Sequence, residues 1–188
     1  MARRRSPLAG RAAELACLPI GAQELPFLTQ LNVRLDAMSA AATLVANVLG
    51  GPLPTVPCTT SRVGELEVLW LGPDEWLVLA PQGREKSLAH ALREAIGSYD
   101  GAVTDVSAQR VALELTGTHV RDVLARGCSI DLHPKVTPMG SCVQTWLGRT
   151  GVVIVVHDSS ASDFVVLVPT SFADYLVSWL IDVCIDIS

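Results

Sequence analysis

Residues 64–81 read GELEVLWLGPDEWLVLAP, two strand-like runs folded about a turn. Leu66, Val68 and Trp70 mark the first run at a spacing of two, and Trp76, Val78 and Ala80 mark the second. Between them Gly72-Pro73-Asp74-Glu75 supplies turn chemistry: proline presets its own φ, and the Asp74 side chain can bond nearby backbone. The segment is expected to form an antiparallel β-hairpin.

Upstream, Leu31, Val33 and Leu35 alternate with polar neighbours in FLTQLNVRL (27–35), the pattern of a half-buried strand. Asp36 then stands where it can cap a helix to about Leu49, with Leu35, Met38, Ala42, Val45 and Leu49 along one face. Gly50-Gly51-Pro52 stops that helix, and a loop rich in proline and threonine follows. Downstream, Leu88, Leu92, Ala95 and Ile96 recur at helical spacing over 84–96, with Arg84, Glu85, Lys86, Arg93 and Glu94 on the solvated face. The order then recurs in kind. Strands are expected at 102–106 and 111–115, a short helix at 118–126 closed by Gly127, and strands at 144–156 and 164–169. A last helix begins at Ser171, where Ser171 and Asp174 form a capping-box pattern with Asp in the usual place of Glu. Phe172, Leu176, Trp179, Leu180 and Val183 are its expected buried side. Strand pairs followed or spanned by helices imply an α+β domain of antiparallel sheets on a duplicated strand–helix plan, although no repeat is visible in the sequence itself.

Of 188 residues, 49% are hydrophobic and 18% charged, against a usual charged share of about 25%. So little charge leaves apolar surface uncovered, and large exposed apolar patches mark partner surfaces. Composition therefore points to work inside a complex. The net charge of −5 argues against a nucleic-acid partner, which needs clustered Lys and Arg. Arg3, Arg4, Arg5 and Arg11 precede the first acid, Glu14, but Glu14, Pro19 and Glu24 interrupt any signal-peptide core. Residues 1–24 are expected to be a basic, flexible tail before one domain over 25–188. The most apolar runs, 152–156 and 164–168, are strand-length, far short of the ~20 residues of a membrane span. Asp182 and Asp186 interrupt the greasy run 175–187. Cys17, Cys58, Cys128, Cys142 and Cys184 form no C-x-x-C pair and read as reduced thiols of a cytoplasmic protein.

Motifs for self-contained chemistry are missing. No P-loop, G-x-G-x-x-G or G-x-S-x-G occurs. Cys128, His133, Cys142 and His157 lack the tight paired spacing of structural zinc and read as ordinary buried thiols and loop histidines. Ser107 or Cys128 with His119 or His133 would be needed for nucleophilic catalysis, but neither histidine has a spaced partner. Asp74 and Glu75 occupy a turn, where acids serve conformation. The tryptophans Trp70, Trp76, Trp146 and Trp179 read as core, with the alternative that one is an exposed partner anchor.

Five ordered segments carry a family resemblance: PFLTQLNVR (26–34), WLGPDEWLVLAP (70–81), DVSAQRVALELTG (105–117), VLARGCSIDLHP (123–134) and FADYLVSWL (172–180). Together they resemble the gamma subunit of heterotetrameric sarcosine oxidase, over roughly residues 24–182. The resemblance implies a fold like that of the glycine-cleavage T protein and the N-terminal domain of the tRNA-modifying GTPase. It implies alpha, beta and delta partner subunits, with FAD, FMN, NAD, tetrahydrofolate and zinc held by those chains. The implied complex demethylates sarcosine oxidatively to glycine and hydrogen peroxide, passing the one-carbon unit to tetrahydrofolate.

Pressed further, Asp105-Val106-Ser107 resembles the D-x-S strand end of the T protein, and Leu124 and Asp131 fall where its helix and following aspartate would lie. Its folate-activating acid lies in a G-G-x-x-D-D-like segment, where this chain has Gly151-Val152-Val153-Ile154-Val155. Apolar side chains cannot hold or relay a proton. No catalytic, cofactor-binding or metal-binding residue is therefore assigned to this chain. Its candidate interface residues, all from the resembling segments, are Arg34, Trp70, Asp74, Trp76 and His133. The competing expectation is a folate-binding aminomethyl- or methyltransferase acting on its own.

Overall fold

The structure is a computed structural model that describes residues 4–158, 160, 162–185 and 187. Arg3 and Asp186 lie outside the described residues. In chain order the elements are α1 (Ala12–Ala16), β1 (Gly21–Leu25), β2 (Thr29–Leu35), α2 (Ala40–Leu49), β3 (Thr60–Val63), β4 (Leu66–Gly72), β5 (Glu75–Ala80), α3 (Glu85–Ile96), β6 (Gly101–Asp105), β7 (Arg110–Thr116), α4 (Val120–Ala125), β8 (Cys142–Leu147), β9 (Thr150–Val156), β10 (Asp163–Pro169) and α5 (Ala173–Cys184). A 3-10 turn, Thr170–Phe172, leads into α5.

The chain divides into two compact units. One is residues 27–108; the other joins residues 1–26 to 109–188. The contiguous unit holds an antiparallel sheet in the order β3-β4-β5-β2-β6. The expected hairpin is its β4–β5 pair, with Trp70 opposite Trp76 and a register shift between Trp70 and Gly72 at the turn. Leu31, Val33 and Leu35 of β2 pack with Val68, Trp76 and Val78, and α2 and α3 close that side through Val45, Leu49, Leu88 and Leu92. Each fully buried Val or Leu stabilises by about 1.5–3 kcal/mol. Trp76 to Ala80 are buried without interruption, so both faces of β5 are covered. A strand covered on both sides needs apolar residues at successive positions, which is why WLVLA shows no polar alternation.

The second unit repeats the plan. Its sheet runs β1-β7-β10-β9-β8. Reading β7, α4, β8, β9, β10 and α5 against β2, α2, β3, β4, β5 and α3 gives the same strand order, with β1 in the edge place that β6 takes in the other unit. Leu113, Leu115, Ile154, Phe164, Val166, Leu176 and Leu180 lie in its core.

That arrangement corrects the expectation of a flexible tail. The early residues form α1 and β1, and Leu8, Leu15 and Ile20 are 1%, 2% and 4% exposed in the core. Arg11 ion-pairs with Glu14 at 2.7 Å and Asp174 at 2.5 Å. The strand was hard to see because GAQEL is an edge strand that pairs through its backbone with β7 and buries little. Nor does Asp36 cap a helix. Its Oδ1 accepts from the Met38 amide at 2.9 Å, and its carbonyl accepts from the Ser39 amide at 3.0 Å. That turn delays α2 to Ala40 and leaves Met38 90% exposed, so the inward stripe is Ala41, Val45 and Leu49. At the other end Asp174 reaches Arg11 rather than the start of its own helix. The 3-10 turn puts Phe172 in solvent, and Ala173, Leu176, Val177, Leu180 and Cys184 form the buried side of α5. The 144–156 reading splits at Gly148, whose φ of +59° turns β8 into β9.

Candidate functional site

The resembling segments first lead to the D-x-S tripeptide. Asp105 closes β6, and its Oδ1 accepts from the Ser107 amide at 3.0 Å and from the Ser107 hydroxyl at 2.6 Å. The same hydroxyl accepts from the Gln30 amide at 3.0 Å, and the Val106 amide donates to the Gln30 carbonyl at 2.9 Å. The serine is committed to joining β6 to β2. Downstream, Gly151–Val155 forms the body of β9, paired with β8 on one side and β10 on the other. Val152, Val153, Ile154 and Val155 are at most 4% exposed. These positions hold a sheet together, with no ionisable group to move a proton.

Asp131 and His133 also serve the backbone. Asp131 accepts from the His133 amide at 2.8 Å, and His133 Nδ1 accepts from the Lys135 amide at 3.2 Å. Among the described residues no three His, Cys, Asp or Glu side chains are gathered to hold a metal ion. All five cysteines are free thiols. Cys142 is 1% exposed, opposite Val155 in the sheet. Burial pushes the Cys184 thiol above its ordinary pKa, with Arg126 opposing more weakly, so it stays protonated as a core residue.

The five interface candidates separate on inspection. Trp76 is 0% exposed and donates through Nε1 to the Pro54 carbonyl at 2.8 Å. It is a core residue and cannot anchor a partner, because the inward phase of β5 fixes its side. Trp70 is half-buried. Arg34 and Asp74 are exposed at one end of the same sheet. There Glu75 accepts from Asn32 at 2.7 Å and pairs with Arg34 at 2.5 Å, and the Asp74 carbonyl accepts from the Leu35 amide at 3.1 Å. His133 is exposed but belongs to the other unit.

The exposed tryptophan is Trp146, absent from the five. It lies on the edge strand β8 and is 60% exposed, opposite Gly151 in the register. A Cβ on Gly151 would meet nothing within 4 Å. The missing side chain leaves an open cleft of about 360 Å³ lined by Arg110, Gln144, Trp146, Gly151 and Pro169. Trp and Arg are the residue types most enriched at interface hot spots. The signal was present in the sequence as the turn at Gly148: splitting 144–156 there puts Trp146 across from Gly151.

A family model described as "Sarcosine oxidase, gamma subunit family" matches residues 34–186. The chain belongs to that family. Sarcosine oxidase subunit gamma of Corynebacterium sp. (strain P-1) is 36% identical over 161 residues, covering 85% of this chain and 77% of that one. The subunit gamma of Arthrobacter sp is 36% identical over 167 residues with the same coverage. Among solved structures, a chain of the heterotetrameric sarcosine oxidase from Corynebacterium sp. U-96, in complex with pyrrole 2-carboxylate, superposes with a TM-score of 0.89 at 32% identity, covering 96% of this chain and 94% of that one. The glycine cleavage system aminomethyltransferase T from Bartonella henselae gives a TM-score of 0.66 at 14% identity, over 95% of this chain and 57% of that one. That is a likeness of fold, and it bears out the expected α+β class. The resemblance seen in the five segments is a membership of the gamma family.

Proposed function

We propose that this gamma-family chain is a non-catalytic assembly subunit of a cytoplasmic heterotetrameric sarcosine oxidase. In this reading its partners are the alpha, beta and delta subunits, which hold FAD, FMN, NAD, tetrahydrofolate and zinc. The complex oxidises sarcosine to glycine, releases hydrogen peroxide and delivers the one-carbon unit to tetrahydrofolate. One observation carries the non-catalytic role: in the stretch 151–155, where a folate transferase fold would place its acid, residues 152–155 are valine and isoleucine buried in the strand between β8 and β10. This disfavours a free-standing transferase.

The cleft beside Trp146 is the proposed contact in the second unit. Exposed Arg34, Asp74 and His133 stay as rim contacts, which tune association more than they strengthen it. Co-expressing the chain with its partner subunits, or leaving it out, tests the assignment by sedimentation and sarcosine-dependent peroxide release. Omission should abolish both assembly and turnover; an intact complex with full turnover overturns the role. Trp146→Ala should weaken association by about 2 kcal/mol, roughly thirty-fold in Kd.

A further inference from the structure

Helix α2 differs from every other helix of the described residues. Each of α1, α3, α4 and α5 carries charged residues, and α2 carries none. The charge-free run extends beyond it: residues 37–61 contain no Asp, Glu, Lys, Arg or His. Its neighbour α3 packs on the same side of the sheet with Glu85 in its first turn and Arg93 in its last, which favours the helix dipole. At α2 neither end has such a charge, although a charge there would stabilise an exposed helix.

One exposed stripe of α2 is apolar as well as neutral, flanked by the exposed but uncharged Thr43 and Asn47. Ala41, Val45 and Leu49 form the buried stripe, and Ala40, Leu44 and Val48 form the stripe beside it. Leu44 is 42% exposed and Val48 37%, with Met38 just ahead of the helix at 90%. An apolar arc two stripes wide has one stripe more than this unit's core uses.

Resting on the subunit reading above, we infer that this exposed flank of α2 is a docking face for an uncharged, aliphatic-rich surface of another oxidase subunit. The argument for that occupant is electrostatic. A charged group brought against this face would lose its water and meet no counter-charge across residues 37–61, a loss that a neutral surface does not suffer. The face lies on a different unit from the Trp146 cleft, so it adds a second contact for the subunit.

Full-length Leu44→Glu and Val48→Glu chains, co-expressed with the oxidase subunits, test this. Co-purification should fall about ten-fold or more, and His90→Glu, on the solvated face of α3, should co-purify like the parent. Circular dichroism confirms folding. Should the glutamate variants misfold, amide exchange of the unaltered chain decides, because 40–49 should gain protection in the complex over the free chain. Co-purification of the variants at the parental level, or unchanged exchange, overturns the inference and leaves the subunit reading standing. So does a dimer of the isolated chain that Leu44→Glu dissociates without loss of co-purification, since the occupant is then a second copy. If the parent chain itself does not co-purify, the subunit reading fails and takes this inference with it.

Discussion

The Ser107 hydroxyl accepts from the Gln30 amide and donates to Asp105, so one side chain joins the end of β6 to the start of β2. Gln30 is 1% exposed, and a buried amide stripped of that partner bears its full desolvation cost. Ser107→Ala should therefore cost about 1–3 kcal/mol, read as a lower urea midpoint with an unchanged slope, and Ser107→Thr should recover part of it. A stability equal to the parent's would show that the tripeptide does not brace this sheet. The D-x-S pattern was legible as a strand end resembling a folate enzyme. Its bonds to backbone were not, because Gln30 lies far from it in sequence and only β2–β6 pairing brings the two together. Trp76 and Trp70 teach the same at residue level. Both follow the period-2 rhythm, but only the closure of the sheet by α2 and α3 settles that Trp76 is sealed in and Trp70 half-open.

Turns carry the information that periodicity misses at the level of elements. The hairpin of β4 and β5 and the helix α3 were legible because apolar period and turn chemistry agree there. The break between β8 and β9 was obscured by the apolar run that follows it. Gly148 sits at φ +59°, a Cβ there would lie 2.6 Å from the Tyr175 hydroxyl, and that hydroxyl accepts from the Arg149 amide at 3.0 Å. The turn is thus clamped from α5, and the Gly148 amide donates to the Gly127 carbonyl at 2.9 Å. Gly148→Ala adds both backbone strain and a clash, so it should destabilise by about 1–3 kcal/mol, visible as a lower thermal midpoint. A neutral result would mean that Tyr175 yields freely. The expected cap at Ser171 failed for a related reason. A capping box is a local pattern, and Asp174 finds a better partner in Arg11, which pairing by sequence distance cannot foresee.

For the molecule as a whole, a duplicated strand–helix plan accounts for most of the apolar content, since each copy needs its own core and its own covered sheet. The plan was legible as an order of elements; its completion by β1 was not, because that strand comes from the opposite end of the sequence from the other strands of its sheet. What the cores leave over includes the exposed apolar surface around Trp146 and along α2, on a chain with only 18% charged residues to keep such surfaces apart. Exposed apolar surface associates on the order of micromolar to millimolar concentration. The chain purified alone should therefore self-associate as its concentration rises, with sedimentation coefficients that climb steadily. High salt should strengthen that association, because screening removes the weak repulsion of a net charge of −5 and leaves the apolar attraction intact. Combining Trp146→Glu with Leu44→Glu should return the chain to a monomer by placing a charge on each of the two surfaces. A parent chain that stays monomeric across that range would mean that these residues are too scattered to act as surfaces, and a purpose in assembly would then have to be sought elsewhere in the molecule.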